Sequence, residues 1–86
     1  MMVLKKSSLH VAALMGQVDV MRRLIEEGRN VEERSGDGKT PLHYATIGGG
    51  RAAMEYLIGR GASPNVYDNN NLRPIHYAIL RMKSRK

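Results

Sequence analysis

Eighty-six residues, 42% hydrophobic and 26% charged, have the balance of one small folded domain and not of a disordered chain. There is no cysteine, so no disulfide or thiolate metal site staples the fold, which fits a reducing, intracellular compartment, and no apolar run reaches the ~18 residues of a membrane span. The formal charge of +6 is uneven: residues 1–37 balance six basic side chains against six acidic ones, so the whole excess lies in 38–86 and crowds at Arg81, Lys83, Arg85 and Lys86. A partner met through that half is expected to be acidic or neutral.

In chain order, Leu9-His10-Val11-Ala12 opens a first inner segment. Val20, Met21, Leu24 and Ile25 then form an i, i+1, i+4, i+5 stripe suited to burial on an outer helix. Gly28 ends that helix by accepting a left-handed conformation, and Ser35-Gly36-Asp37-Gly38 supplies a tight turn. Thr40 is a good N-cap and Pro41 loses nothing at the first helical position, so a short helix starts there, with Leu42, Ala45 and Thr46 on one face. Gly48-Gly49-Gly50 breaks it. A second outer helix carries Ala53, Met54, Leu57 and Ile58 to Gly61, and Asp68-Asn69-Asn70-Asn71 makes the next turn. In the last helix Arg73 lacks the capping hydroxyl. Met82 replaces a helix-breaking glycine there, so the stripe Ile75, Ala78, Ile79, Met82 runs on towards Lys86 as a C-terminal cap.

These elements repeat. Leu9-His10-Val11-Ala12, Leu42-His43-Tyr44-Ala45 and Ile75-His76-Tyr77-Ala78 are related by two equal shifts along the chain, and the same shift carries Gly16 onto Gly49, Leu24 onto Leu57 and Gly28 onto Gly61. At Thr40-Pro41-Leu42-His43-Tyr44-Ala45 the chain resembles the ankyrin repeat family, whose 33-residue unit carries T-P-L-H-x-A, two antiparallel helices and a projecting turn. The resemblance implies an all-α ankyrin-repeat solenoid of helix-turn-helix units with short β-turn or hairpin loops. It implies a single domain over 1–86, with one unit at about 5–37, a second at about 38–70 and a truncated capping unit at about 71–86. Ser7-Ser8 and Arg73-Pro74 depart from the Thr-Pro of the middle unit. Stacked units usually need about three copies, so low stability or dependence on another subunit is expected.

Catalytic chemistry is not signalled. His10, His43 and His76 share the repeat period, so they sit one unit apart and not around a common ion, and each is expected to hydrogen-bond backbone of a neighbouring turn. The glycine run lacks a phosphate-binding pattern, and no serine has a paired histidine and acid at nucleophile spacing. No cofactor and no metal are expected, and the chain reads as a non-enzyme. Nucleic-acid binding, suggested by a pI near 10.1, lacks an aromatic and basic platform and is disfavoured.

What remains is binding. The family resemblance implies docking on a concave face of turn tips and inner-helix surfaces, here Leu14, Met15, Lys39, Tyr44, Ile47, Leu72, Tyr77, Leu80 and Arg81. These positions combine apolar anchors, two tyrosines and cations, as docking surfaces do. The expected partner is a protein, with an acidic segment as one form it takes, met through Arg73, Arg81, Lys83, Arg85 and Lys86. A fragment of a larger array, or a self-associating homo-oligomer, is the alternative.

Overall fold

The computed structural model describes residues 8–83. Among them are five helices and no strand: α1 Leu9–Leu14, α2 Val18–Glu26, α3 Pro41–Gly48, α4 Arg51–Gly59 and α5 Pro74–Lys83. Helices α1, α3 and α5 form an inner row, each packed on the next, while α2 and α4 back α1 and α3 and touch one another lightly.

Local chemistry sets the helix starts. Ser8 Oγ accepts from the Val11 N–H at 2.9 Å, and Thr40 Oγ1 accepts from the His43 N–H. His43 completes a reciprocal cap, its Nδ1 accepting the Thr40 N–H at 3.0 Å. At α5 the missing hydroxyl costs only half of this arrangement, because His76 Nδ1 still accepts the Arg73 N–H at 2.9 Å. The left-handed residues obey the repeat: Gly16 and Gly49, Gly28 and Gly61, and Gly38 and Asn71 are pairs at equivalent places in successive units.

Half of the ten core residues are alanines (Ala12, Ala13, Ala45, Ala53, Ala62), packed with Leu9, Met21, Leu24, Leu42 and Leu57. Small side chains let the inner helices approach closely, but each contributes little apolar area, so the core is thin. The outer-helix stripes are only partly buried: Met21, Leu24, Ala53 and Leu57 are inside, Val20, Ile25 and Met54 are half-buried, and Ile58 is 52% exposed. Met82 does let α5 run to Lys83, two residues longer than α3, as its sequence predicts. The expected capping stripe does not pack, however. Ile75, Ile79 and Met82 are 51%, 45% and 70% exposed, because α5 has no outer helix behind it among the described residues.

Candidate interaction surface

Two successive shifts by one repeat place three side chains in each row along the inner helices. The rows are Val11, Tyr44 and Tyr77; Leu14, Ile47 and Leu80; and Met15, Gly48 and Arg81. Ala12, Ala13 and Ala45 turn inward and these rows lie outside the buried core, with Tyr44 packed against its edge. Leu14, Met15 and Leu80 are exposed, and Tyr44, Ile47 and Tyr77 are half-buried. Ile47, Tyr77, Leu80 and Arg81 line one open depression of about 390 Å³. Four of the nine sequence-predicted positions thus meet at one place, with Leu14 and Met15 further along the row. Of the basic positions expected to meet an acidic partner segment, Arg85 and Lys86 lie outside the described residues.

The row of Met15, Gly48 and Arg81 shows how the units lock. A Cβ on Gly48 would lie 2.1 Å from the Leu14 carbonyl oxygen, so glycine is what allows α3 to rest on the end of α1. One unit on, Arg81 occupies the equivalent place and its Nη1 donates to the Ile47 carbonyl at 3.0 Å, capping α3. Its guanidinium also lies over Gly49, where a Cβ would sit 2.5 Å from Nε.

Lys39 is not an exposed turn-tip cation. Its ammonium is buried, 2.7 Å from Asp37 Oδ2, 3.4 Å from Asp68 Oδ2 and 5.3 Å from the centre of the Tyr77 ring. The Tyr77 hydroxyl donates to Asp68 Oδ2, and Asp68 Oδ1 accepts the N–H groups of Asn70 and Leu72 at 2.9 Å. Burial alone would raise the Asp68 carboxyl, but these donors and Lys39 outweigh it and hold it well below the usual carboxylate range. Hydrogen bonds from Lys39 and Ser35 hold Asp37 down at about 2, and the Asp37 hydrogen bond raises Lys39 against its desolvation. Burial, reinforced by Asp68, raises the Tyr77 phenol. Lys39 and part of Tyr77 therefore belong to the joint between units, while the Leu72 carbonyl is taken by His43.

His10 and His43 follow the backbone-bonding expectation, whereas the His76 ring, among the described residues, bonds only the Arg73 N–H of its own unit. His10 Nε2 lies 2.9 Å from the Glu33 carbonyl and 3.0 Å from that of Lys39, and His43 Nε2 lies 2.9 Å from the Leu72 carbonyl. Desolvation lowers the His43 pKa, so the ring is neutral, with Nδ1 accepting and Nε2 donating. Tyr44 and Tyr77 pack edge-on against His10 and His43 at 5.2 and 5.8 Å. Among the described residues no group of three His, Cys, Asp or Glu could hold a metal ion, and no helix is long and apolar enough to cross a membrane.

Sequence reasoning missed the Lys39–Asp68–Tyr77 joint. It also missed the Glu32 carboxylate that accepts the Ser63 N–H at 2.8 Å, and Arg34 donating to the Tyr67 carbonyl at 3.2 Å. A signal existed for Asp68 alone: it replaces Ser35 of the preceding turn, whose hydroxyl likewise accepts a backbone N–H, from Lys39 at 3.1 Å. Charge is distributed in the same one-sided way as the apolar surface. The sequences of α1, α3 and α5 contain no Asp or Glu, and their charged residues are Arg81 and Lys83, both exposed.

A family model described as "Ankyrin repeats (3 copies)" matches residues 9–85. The crystal structure of the human ASB11 ankyrin repeat domain is similar, with a TM-score of 0.78 and 32% sequence identity over 85% of this chain. The match covers 33% of that domain, so this chain spans about a third of its length.

Proposed function

The chain belongs to the ankyrin repeat family, and from that premise we propose that it is a non-enzymatic module that binds a partner protein on its inner-helix face. Ankyrin repeats are generally protein–protein interaction modules. The observation that carries the reading is the depression of Ile47, Tyr77, Leu80 and Arg81, continued by exposed Leu14 and Met15 on helices without an acidic side chain. Apolar anchors supply affinity, and the cations at the α5 end favour a partner segment carrying carboxylates. The Leu80 side chain, 54% exposed, gains on the order of 1 kcal/mol when a partner covers it.

The test uses the chain as bait, with Leu14→Asp and Leu80→Asp as variants at exposed positions. Both variants should melt within a few degrees of the parent and lose at least tenfold in capture of its partner, and added salt should weaken capture further. Undiminished capture by both variants refutes the inner-helix face as the docking site.

A second reading is favoured by the exposure of Ile75, Ile79 and Met82: the α5 end of the stack is a covered surface in the working protein, within a longer array or against another copy.

A further inference from the structure

Charge on the inner-helix face has a direction. Helices α1 and α3 contain no Asp, Glu, Lys or Arg, so the exposed Leu14 and Met15 begin a surface whose charged side chains come only at α5, as Arg81 and Lys83. Lys39 does not alter this, because its buried ammonium is answered by Asp37 and Asp68. A segment laid along the face therefore passes from an apolar end to a cationic end within the ~16–20 Å of two helix-to-helix steps.

The depression at the cationic end is selective in the polar groups it presents. Of its four lining residues, Tyr77 has its hydroxyl engaged with Asp68, and the Ile47 carbonyl is engaged with Arg81. A ligand there meets the apolar surface of Ile47, Tyr77 and Leu80 and the cation of Arg81, an exposed residue. That guanidinium is held in place. Its Nη1 rests on the Ile47 carbonyl at 3.0 Å, and the group lies against Gly49, where a Cβ would sit 2.5 Å from Nε and 2.7 Å from Nη2. A planar fork already immobilised beside apolar surface loses little further side-chain freedom on meeting a carboxylate, with which its hydrogen bonds are charge-assisted. The same cation repels a lysine or arginine of a partner, so charge excludes as well as selects.

Building on the inner-helix reading, we propose that the depression recognises a short acidic motif in the partner protein and fixes the direction in which the partner lies. An apolar side chain of the partner enters between Ile47, Tyr77 and Leu80, and an Asp or Glu beside it meets the Arg81 guanidinium. The rest of the segment runs apolar over Leu14 and Met15. Because Leu80 and Arg81 are chain neighbours that share the depression, anchor and acid form one motif. A nucleic-acid strand would answer the cations but leave the apolar row from Leu14 to Leu80 uncovered.

The test screens the chain against a displayed library of random peptides long enough to span the three inner helices, then measures the enriched peptides by fluorescence anisotropy. They should carry Asp or Glu beside a bulky apolar residue at one end and further apolar residues towards the other. Exchanging that acid for its amide should weaken binding to the parent chain at least ~fivefold, and binding to Arg81→Met by less than about twofold. Lys83→Ala should keep the full acid-to-amide difference, which separates the fixed guanidinium from general positive charge. No enriched peptide, enrichment without an acid, or an undiminished difference in Arg81→Met overturns the proposal. The inner-helix reading then stands if partner capture is still lost in Leu14→Asp and Leu80→Asp, and falls as well if neither variant matters. A parent chain that sediments as a dimer broken by Leu80→Asp assigns the face to a second copy and also overturns the proposal.

Discussion

Substituting Gly48 with alanine sets two opposed effects against each other, and the geometry decides the sign. Gly48 has no left-handed φ and closes the helix α3, so alanine there gains up to about 1 kcal/mol in intrinsic helix preference. The new methyl, however, would lie 2.1 Å from the Leu14 carbonyl oxygen, a backbone atom that cannot rotate aside. Restoring ordinary contact moves α1 from α3 by roughly 1 Å, which loosens the Ala12, Ala13 and Ala45 packing where the units meet. Overpacking of this kind costs about 1–3 kcal/mol and more where backbone resists. Gly48→Ala should therefore destabilise by about 1–3 kcal/mol net, lowering the midpoint by roughly 5–20 °C for a domain of this size.

Gly59→Ala is the matched control. Gly59 also ends a helix without a left-handed φ, but a Cβ there meets nothing within 4 Å. It should stabilise by up to about 1 kcal/mol. Urea and thermal melts followed by circular dichroism read both variants, and an unchanged urea slope would show that the unfolded state is not the cause. If Gly48→Ala melts at or above the parent, as Gly59→Ala should, the close approach of α1 and α3 is not what glycine serves.

Other outcomes follow from the joints between units. His43→Ala removes a buried ring that bonds both Thr40 and Leu72, and should cost at least about 2 kcal/mol by urea melt, whereas His76→Ala, with only its local bond, should cost under about 1 kcal/mol. Acid should act in two stages. The lowered His43 pKa means that its contribution is full above about 6.5 and is lost as pH falls below that value, because the unfolded ring protonates first. The depressed Asp37 and Asp68 contributions are full above about 4 and drain away as pH falls towards 2, the value at which Asp37 titrates in the fold. A pH series of melts should thus be flat near neutrality, decline gently below 6.5 and steeply below 4. In Asp68→Asn the steep part should be shallower, and an unaltered slope would refute a role for the buried carboxylate. Arg81→Met, which keeps the stem and loses the donor to the Ile47 carbonyl, should cost about 1 kcal/mol.

The sequence made the scaffold legible because the scaffold obeys local rules repeated at a fixed period. Thr40 and Pro41 start a helix by capping chemistry that involves neighbours within four residues. The left-handed positions likewise satisfy turns a few residues long, which is why Gly28, Gly61 and the Asp68–Asn71 turn could be read directly. Leu14, Ile47 and Leu80 were legible for a related reason: in a stack, positions that the core does not use face outward. Lys39 was not. Its fate depends on Asp68 in the following turn and on Tyr77 in the next unit, and the stacking of successive turns that brings them together is a tertiary distance. The period predicts that equivalent places align, but not that a cation at one place meets a carboxylate at another.

Equivalent places with different residues separate the demands of stacking from those of recognition. Where a unit must rest on its neighbour, the row Met15, Gly48 and Arg81 changes its chemistry from one level to the next, because each joint is solved separately: glycine yields space to the Leu14 carbonyl, and arginine bonds that of Ile47. The row Leu14, Ile47 and Leu80 stays apolar throughout, although its end members project from the fold, 39% and 54% exposed. Stacking does not require exposed leucines, and polar side chains there would hydrate more favourably. An apolar row maintained across three units, on helices free of acidic side chains, is what the proposed docking of a partner protein on this face rests on, since covering it would remove its cost in water.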